Sequence, residues 1–349
     1  MPRLHMLTVE HHASPPADFL ADEVEGHAYY KVFQDSAIEN FEFGYLVVRR
    51  DGERVAVAPC FVTRYRVNTT LAEGRLKRML GWLSFRIACV GHPSADLGMI
   101  DGETSAEVLQ AINAELFKRA AVVAYKDFGA DLPLTGFSRE PNLPVARLAI
   151  AGDFYSALSG PARRALRRRQ RKAGLLRIEE CASFPAEHAG RIYALYLQTL
   201  ARAEMVLERL TPRFFADIAP LGKYVLYWEG DTLIGFTLLI CKGRTMLAKY
   251  LGMDYARARR YGLYFVMLLN QIDICVRDGY TIYQTGQSAY DFKVRLGSRL
   301  IPTFIYFRHC NPLMHKVLAA IMRVAAYRER AACAGAGERA VGWTPGERA

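Results

Sequence analysis

The stretch Tyr224-Val-Leu-Tyr-Trp-Glu-Gly-Asp-Thr-Leu-Ile-Gly-Phe-Thr-Leu-Leu-Ile240 decides the fold, because the first half of the chain echoes it. Tyr45-Leu-Val-Val-Arg-Arg-Asp-Gly-Glu-Arg-Val-Ala-Val-Ala-Pro59 repeats the plan: a β-rich run, a turn at Asp51-Gly52, a second β-rich run. In the later copy the turn is Glu229-Gly230-Asp231. Asp-Gly between apolar runs is a strong hairpin signal, because both residues accept positive φ. The segments downstream of the two hairpins also match. In the first half, a strand-like Leu97 to Ile100 leads to a helical Ala106 to Lys118 and a strand Val122 to Lys126. In the second, Met246 to Leu251 leads to a helical Leu263 to Val276 and a strand Thr281 to Gln284. Strand, helix, strand at this spacing implies parallel pairing through a right-handed crossover. Both halves therefore read as a hairpin joined to a βαβ unit, giving two tandem α/β units, each a mixed sheet flanked by helices.

Composition agrees with two domains. The chain has 349 residues, 51% of them hydrophobic and 23% charged, which allows two ordinary cores and excludes a disordered chain. A formal charge of +11 favours anionic partners: nucleotide phosphates, nucleic acid or an acidic membrane face. The seven cysteines lie far apart without a C-x-x-C pair, which argues for a reducing compartment and no structural zinc. Met1 to Leu20 lacks an apolar signal core, and no run is long enough to span a bilayer. A cytoplasmic protein is expected, with peripheral contact on the inner face of the membrane left open.

The expected domains are residues 1–147, 148–310, an amphipathic helix over 311–333 and a disordered tail over 334–349. Asn142 to Pro144 reads as loop, and Ser159-Gly160-Pro161 opens a helix with proline in its first turn. In the helix Pro312 to Cys333, Met314, Val317, Leu318, Ile321, Met322 and Ala325 recur on one face, with Lys316, Arg323 and Arg330 on the other. That pattern suits a membrane interface and equally suits docking on the body of the protein.

Three segments carry chemistry. Ser156 to Lys172 holds a dense arginine run, which can bind phosphates or stand as a solvated basic face. Arg259-Arg260-Tyr261-Gly262-Leu263-Tyr264 comes after a strand and opens a helix. The free N–H groups and positive dipole end of such a helix bind a diphosphate, and glycine lets the backbone approach it. Arg257, Arg259 and Arg260 add charge, with Gly262 and Leu263 at the turn itself. The third segment, Tyr280 to Gly297, runs from a strand through a polar Gly-containing loop into Tyr290-Asp-Phe-Lys-Val-Arg-Leu-Gly297.

These segments resemble the GNAT fold and its FemAB-related group. Arg259 to Tyr264 is similar to the GNAT loop of Gln or Arg, two residues, Gly, one residue, Gly or Ala, with Tyr264 in place of the small residue. Tyr290 to Gly297 is similar to the aromatic-x-x-Lys-x-x-aliphatic-Gly pattern that closes FemAB-like domains. The arginine run looks like the start of such a domain. The resemblance covers residues 150 to 308; the first half shares only the echo and is expected to be a degenerate copy.

The resemblance implies an N-acyltransferase that uses acyl-CoA as co-substrate, with no permanently bound cofactor and no metal. The amine attacks the thioester, backbone amides on Leu247 to Leu251 hold the oxyanion, and Tyr290 or Tyr283 protonates the sulfur. Lys293 could reach a phosphate or the acyl carbonyl. The base that must deprotonate an amine of pKa about 10 is open among Glu204, Glu208 and His92, the last with Asp96 on a first-half loop. The acceptor is expected to be a small or lipid-like amine, and bacterial ceramide synthases are one family the chain resembles. The alternatives are a FemAB-like ligase drawing on aminoacyl-tRNA and a non-catalytic nucleotide- or membrane-binding module.

Overall fold

The computed structural model describes residues 6–66, 84–129, 131–151, 154–156, 160, 163–164, 174–203, 207–287 and 289–323. Most of the arginine run, Glu204, the expected helix beyond 323 and the tail lie outside the described residues. The chain divides into two compact units, one built on Glu25–Pro144 and again from Pro302, the other on Val145–Ile301.

The first unit contains β1 (Leu7–His12), α1 (His27–Asp35), β2 (Phe41–Arg50), β3 (Glu53–Arg66), β4 (Ser84–Val90), the short β5 (Asp101–Gly102), α2 (Ala106–Phe117) and β6 (Val122–Phe128). It also takes the start of β7 (Ser138–Ala149) and the end of β13 (Arg299–His309). Asp51 and Gly52 both have positive φ, +51° and +91°, as the tight β2–β3 turn requires. Strand order is β1-β2-β3-β4-β6-β13, antiparallel except for the parallel β4–β6 pair. Period-2 alternation sends Leu46, Val48, Ala58 and Val62 to one face, where Val108, Leu109, Ile112 and Leu116 of α2 cover them. Ser105 caps α2 by accepting from the Val108 N–H. A helix over 312–323 lies on the opposite face.

The strand paired parallel with β6 is Ser84–Val90, and not Leu97 to Ile100 as the spacing predicts. The latter segment runs as a loop against β6. The Gly98 N–H donates to the Asp127 carbonyl, and a Cβ on Gly98 would lie 2.1 Å from the Lys126 carbonyl oxygen, so this approach tolerates only glycine.

The second unit contains β8 (Arg177–Cys181), α3 (Ala189–Leu200), α4 (Pro212–Asp217), β9 (Gly222–Glu229), β10 (Thr232–Lys242), β11 (Thr245–Met253), α5 (Tyr255–Tyr261), α6 (Leu263–Asp278), β12 (Ile282–Gln284) and α7 (Tyr290–Arg295). Its sheet runs β7-β12-β11-β10-β9-β8, with β11 and β12 parallel and the other pairs antiparallel. α6 buries Leu263, Val266, Met267, Leu269, Ile272 and Cys275 against one face. Each such side chain stabilises the fold by roughly 1.5–3 kcal/mol relative to exposure. Gly279, at φ +79°, ends the helix, its N–H returning to the Cys275 carbonyl. α3 crosses β11 on the other face, close enough that a Cβ on Gly252 would lie 2.6 Å from backbone atoms of Leu195 and Tyr196.

The division falls between Pro144 and Val145 and again between Ile301 and Pro302. β13 passes into the first unit at Pro302, where it pairs with β6. A terminal strand followed by a helix gives no sign in sequence of which sheet it completes.

Candidate active site

The second unit contains a fork in its sheet. β11 pairs with β12 over three residues only, Thr245–Leu247 with Ile282–Gln284, and then continues to Met253. Register against β10 slips by one between Leu238 and Leu239, which leaves Lys249 as an extra residue on β11. A bulge of this kind bends a strand and turns backbone groups out of the ladder. The loop after β12 enters the fork: a Cβ on Gly286 would lie 3.8 Å from the Ala248 carbonyl oxygen.

α5 and α6 continue from the open arm of the fork. Asp254 caps α5 by accepting from the Arg257 N–H and pairs with Arg191 of α3 at 2.9 Å. Arg257, Arg260 and Tyr261 share a face of α5 and meet Glu229 at the end of β9, with Arg257 2.6 Å from its carboxylate and Arg260 at 3.7 Å. Hydrogen bonds from Tyr261 and Arg257 hold the Glu229 carboxyl below the usual range. The charge of Arg257 and Arg260 is therefore shared with Glu229. Arg259 projects elsewhere and is exposed, and among the described residues no carboxylate pairs with it.

Gly262 closes α5 and opens α6 in the left-handed conformation, φ +62° and ψ 44°. Its carbonyl accepts from Phe265 and Val266, so the N–H groups of Leu263 and Tyr264 precede the first intrahelical acceptor. The Leu263 side chain is buried in the core, so this residue offers its backbone. Tyr264, at the position where the resembled loop has a small residue, packs against the same core, and burial pushes its phenol up to about 12.

α7 sits against this turn, with the Phe292 ring 4.6 Å from that of Phe265 in an edge-to-face arrangement. Lys293 is buried, and its ammonium donates to the backbone carbonyls of Thr285, at 2.5 Å, and Gly286, at 3.2 Å. It holds the loop that enters the fork, a partner set that the sequence reading of a phosphate or acyl ligand did not include. Tyr290, nine-tenths buried, packs with Ala146 and Leu300 at the start of α7.

Tyr283, His92 and Glu208 are the remaining candidates among the described residues. Tyr283 is fully buried, its hydroxyl donates to the Gln271 side chain, and burial pushes its pKa well above the ordinary phenol value. His92 belongs to the first unit. Its Nδ1 accepts from the N–H groups of Ser94 and Ala95, both at 3.1 Å, and its ring is packed by Tyr29, Tyr30, Phe33 and Phe43. These contacts fix the Gly91–Asp96 loop around the ring. Glu208 is half-buried in the segment between α3 and α4, which Tyr193 and Tyr196 anchor through the Leu210 backbone. Sequence reasoning missed Glu229, Asp254 and the pairing of Arg147 with Gln284 at 2.8 Å, because each depends on contacts distant in sequence.

Residues 161–294 match the family model described as an acetyltransferase (GNAT) domain. No curated protein matches the sequence. Among solved structures, that of FemX aligns with a TM-score of 0.53 at 11% identity, covering 88% of this chain and 96% of that one. A tandem GNAT protein from the clavulanic acid biosynthesis pathway gives 0.52 at 11%, covering 88% and 99%. The C-terminal domain of a putative lysylphosphatidylglycerol synthetase from Agrobacterium fabrum gives 0.51 at 14%, covering 88% and 91%. At such identities the likeness is one of fold. No helix among the described residues is long and apolar enough to cross a membrane. The fork, the Gly262 turn and the segment from Tyr290 to Lys293 all lie within the residues that match the acetyltransferase (GNAT) domain model.

Proposed function

We propose that the second unit transfers an acyl group from a coenzyme A thioester to an amine. The observations that carry this reading are the β11–β12 fork and the left-handed Gly262 turn that opens α6, where the first N–H groups of a helix suit a diphosphate. The acyl-pantetheine arm would enter the fork, with its thioester beside the bulge at Lys249. Backbone N–H groups there would meet the oxyanion as the amine nitrogen attacks. Collapse of the tetrahedral species breaks the carbon–sulfur bond, and the Tyr290 hydroxyl would protonate the departing thiolate. Glu208 is the described acid best placed in sequence to take the amine proton, directly or through water. The acceptor is a lipid-like amine in this reading, such as a long-chain amino base, in keeping with the basic chain and its apolar, basic terminal helix.

The reading is tested by calorimetric titration with acetyl-CoA and a long-chain acyl-CoA, followed by mass spectrometry of reactions offered a sphingoid base, lysine or glucosamine. Thioester binding and one amide product are expected. Absence of thioester binding, together with aminoacyl transfer from charged tRNA, would replace the donor with aminoacyl-tRNA. Binding of CoA without any product from a wide amine panel would leave a nucleotide-binding module.

A further inference from the structure

The helix over 312–323 is fixed on the first unit by one face and bare on the other. Asn311 caps it, its side-chain oxygen accepting from the N–H groups of Leu313 and Met314 at 2.9 and 3.1 Å. Leu318, Ala319 and Met322 pack against Phe61, Cys89, Ala124 and Phe307 of the sheet. His315 reaches the Ser138 hydroxyl at 3.2 Å from the same side. At 100° per residue, Leu313, Met314, Val317 and Ile321 fall on the opposite side. They are 66%, 45%, 49% and 36% exposed. Four of the seven large apolar side chains exposed among the described residues thus stand on this one helix, so the patch is local and not scattered surface.

Charge borders the stripe with a single sign. Lys316 and Arg323 flank it on one side, both exposed. From Pro302 to Arg323 the chain contains no carboxylate. Glu140, which Arg323 approaches at 3.7 Å, is buried. On the same face of the sheet, register pairs Tyr65 with Phe85, rings 5.8 Å apart and both half-buried. A helix that pins one face to its own protein, offers aliphatic side chains from the other and borders them with cations fits an anionic lipid surface. A second copy fits poorly: an isologous pairing would press Lys316 and Arg323 of both copies together with no carboxylate on the helix between them.

We infer that this face of the first unit docks on anionic bilayers, Leu313, Met314, Val317 and Ile321 entering the headgroup boundary while Lys316 and Arg323 meet lipid phosphates. The inference does not depend on acyl transfer by the second unit. The experiment is co-sedimentation of the full chain with vesicles of phosphatidylcholine alone or mixed with phosphatidylglycerol, at low and high salt. Variants are Leu313→Ser/Val317→Ser/Ile321→Ser and, separately, Lys316→Glu. All the substituted side chains are exposed, and thermal unfolding confirms that the variants fold. The expected result is about tenfold stronger partitioning onto phosphatidylglycerol vesicles, weakened by salt and by Lys316→Glu and lost in the triple variant. Equal partitioning onto both vesicle types, or a triple variant that still binds, overturns the inference. So does a concentration-dependent dimer of the parent chain that the triple variant dissolves, which would assign the stripe to self-association.

Discussion

At the scale of single residues, Lys293 has exchanged water for two carbonyl oxygens, and that exchange sets what its loss would do. Lys293→Met leaves the Thr285 and Gly286 carbonyls without their donor, at about 1–3 kcal/mol if they stay dry. The loop they belong to enters the fork, so turnover should fall by an order of magnitude or more with a smaller fall in thermal midpoint; steady-state kinetics beside calorimetry would show this. A variant with full turnover would take Lys293 out of the site. Two tyrosines seven residues apart provide a contrast. Tyr290→Phe should cost at least tenfold in kcat, because the variant has no hydroxyl to protonate the thiolate. Tyr283→Phe should leave kcat alone and lower stability by roughly 1–3 kcal/mol, because the buried Gln271 side chain loses its donor. The reverse outcome would exchange their roles. Sequence picks out Tyr290, Lys293 and Gly262 because pattern and spacing mark them. It cannot separate Tyr290 from Tyr283, since burial and the Gln271 contact arise only when α6 packs on β12. Nor can it show that Glu229 meets two of the arginines, 28 and 31 positions away.

Elements show the same division between local and distant information. Both hairpins, α2, α6, β11 and β12 follow from turn chemistry and periodicity over a few residues. The partner of β6 is misread from spacing because a loop pressed against that strand has the apolar character of a strand, and only the near contact of Gly98 with the Lys126 carbonyl distinguishes it. Glycines at element junctions give two tests. Gly262→Ala forces a side chain into the left-handed region, at about 1–2 kcal/mol. It should weaken CoA binding several-fold in calorimetry, while a control Gly190→Ala, where a Cβ meets open space, should not. Gly252→Val places atoms where the α3 backbone and the Phe236 ring lie, so α3 must lift from β11. A loss of about 1–3 kcal/mol in denaturant unfolding is expected, and an unchanged midpoint would show that α3 yields without strain.

At the scale of the molecule, pH and chain path carry the consequences. Arg277 and Lys223 hold Asp278 in an ion network with Glu180, and the Asp278 carboxyl drops to about 2. A depressed acid stabilises the fold above its unfolded pKa of about 3.9 and ceases to do so as pH falls toward the folded value. Asp278→Asn should therefore lower the urea midpoint at neutral pH, and the gap to the parent should narrow below about pH 4. A gap independent of pH would rule out the carboxylate charge as its origin. That there are two tandem units is legible in the repeated hairpins; that the later unit is an insertion is not, since no residue of β13 announces its partner. The insertion bears on biosynthesis. When the ribosome has made residues up to 144, β6 still exposes the edge that β13 will cover, and roughly 160 more residues must emerge first. At about 5–20 residues per second, that edge stays open for some ten to thirty seconds. The nascent chain then depends on whatever chaperone shields an unpaired strand, and a fragment ending at residue 147 would never lose that need.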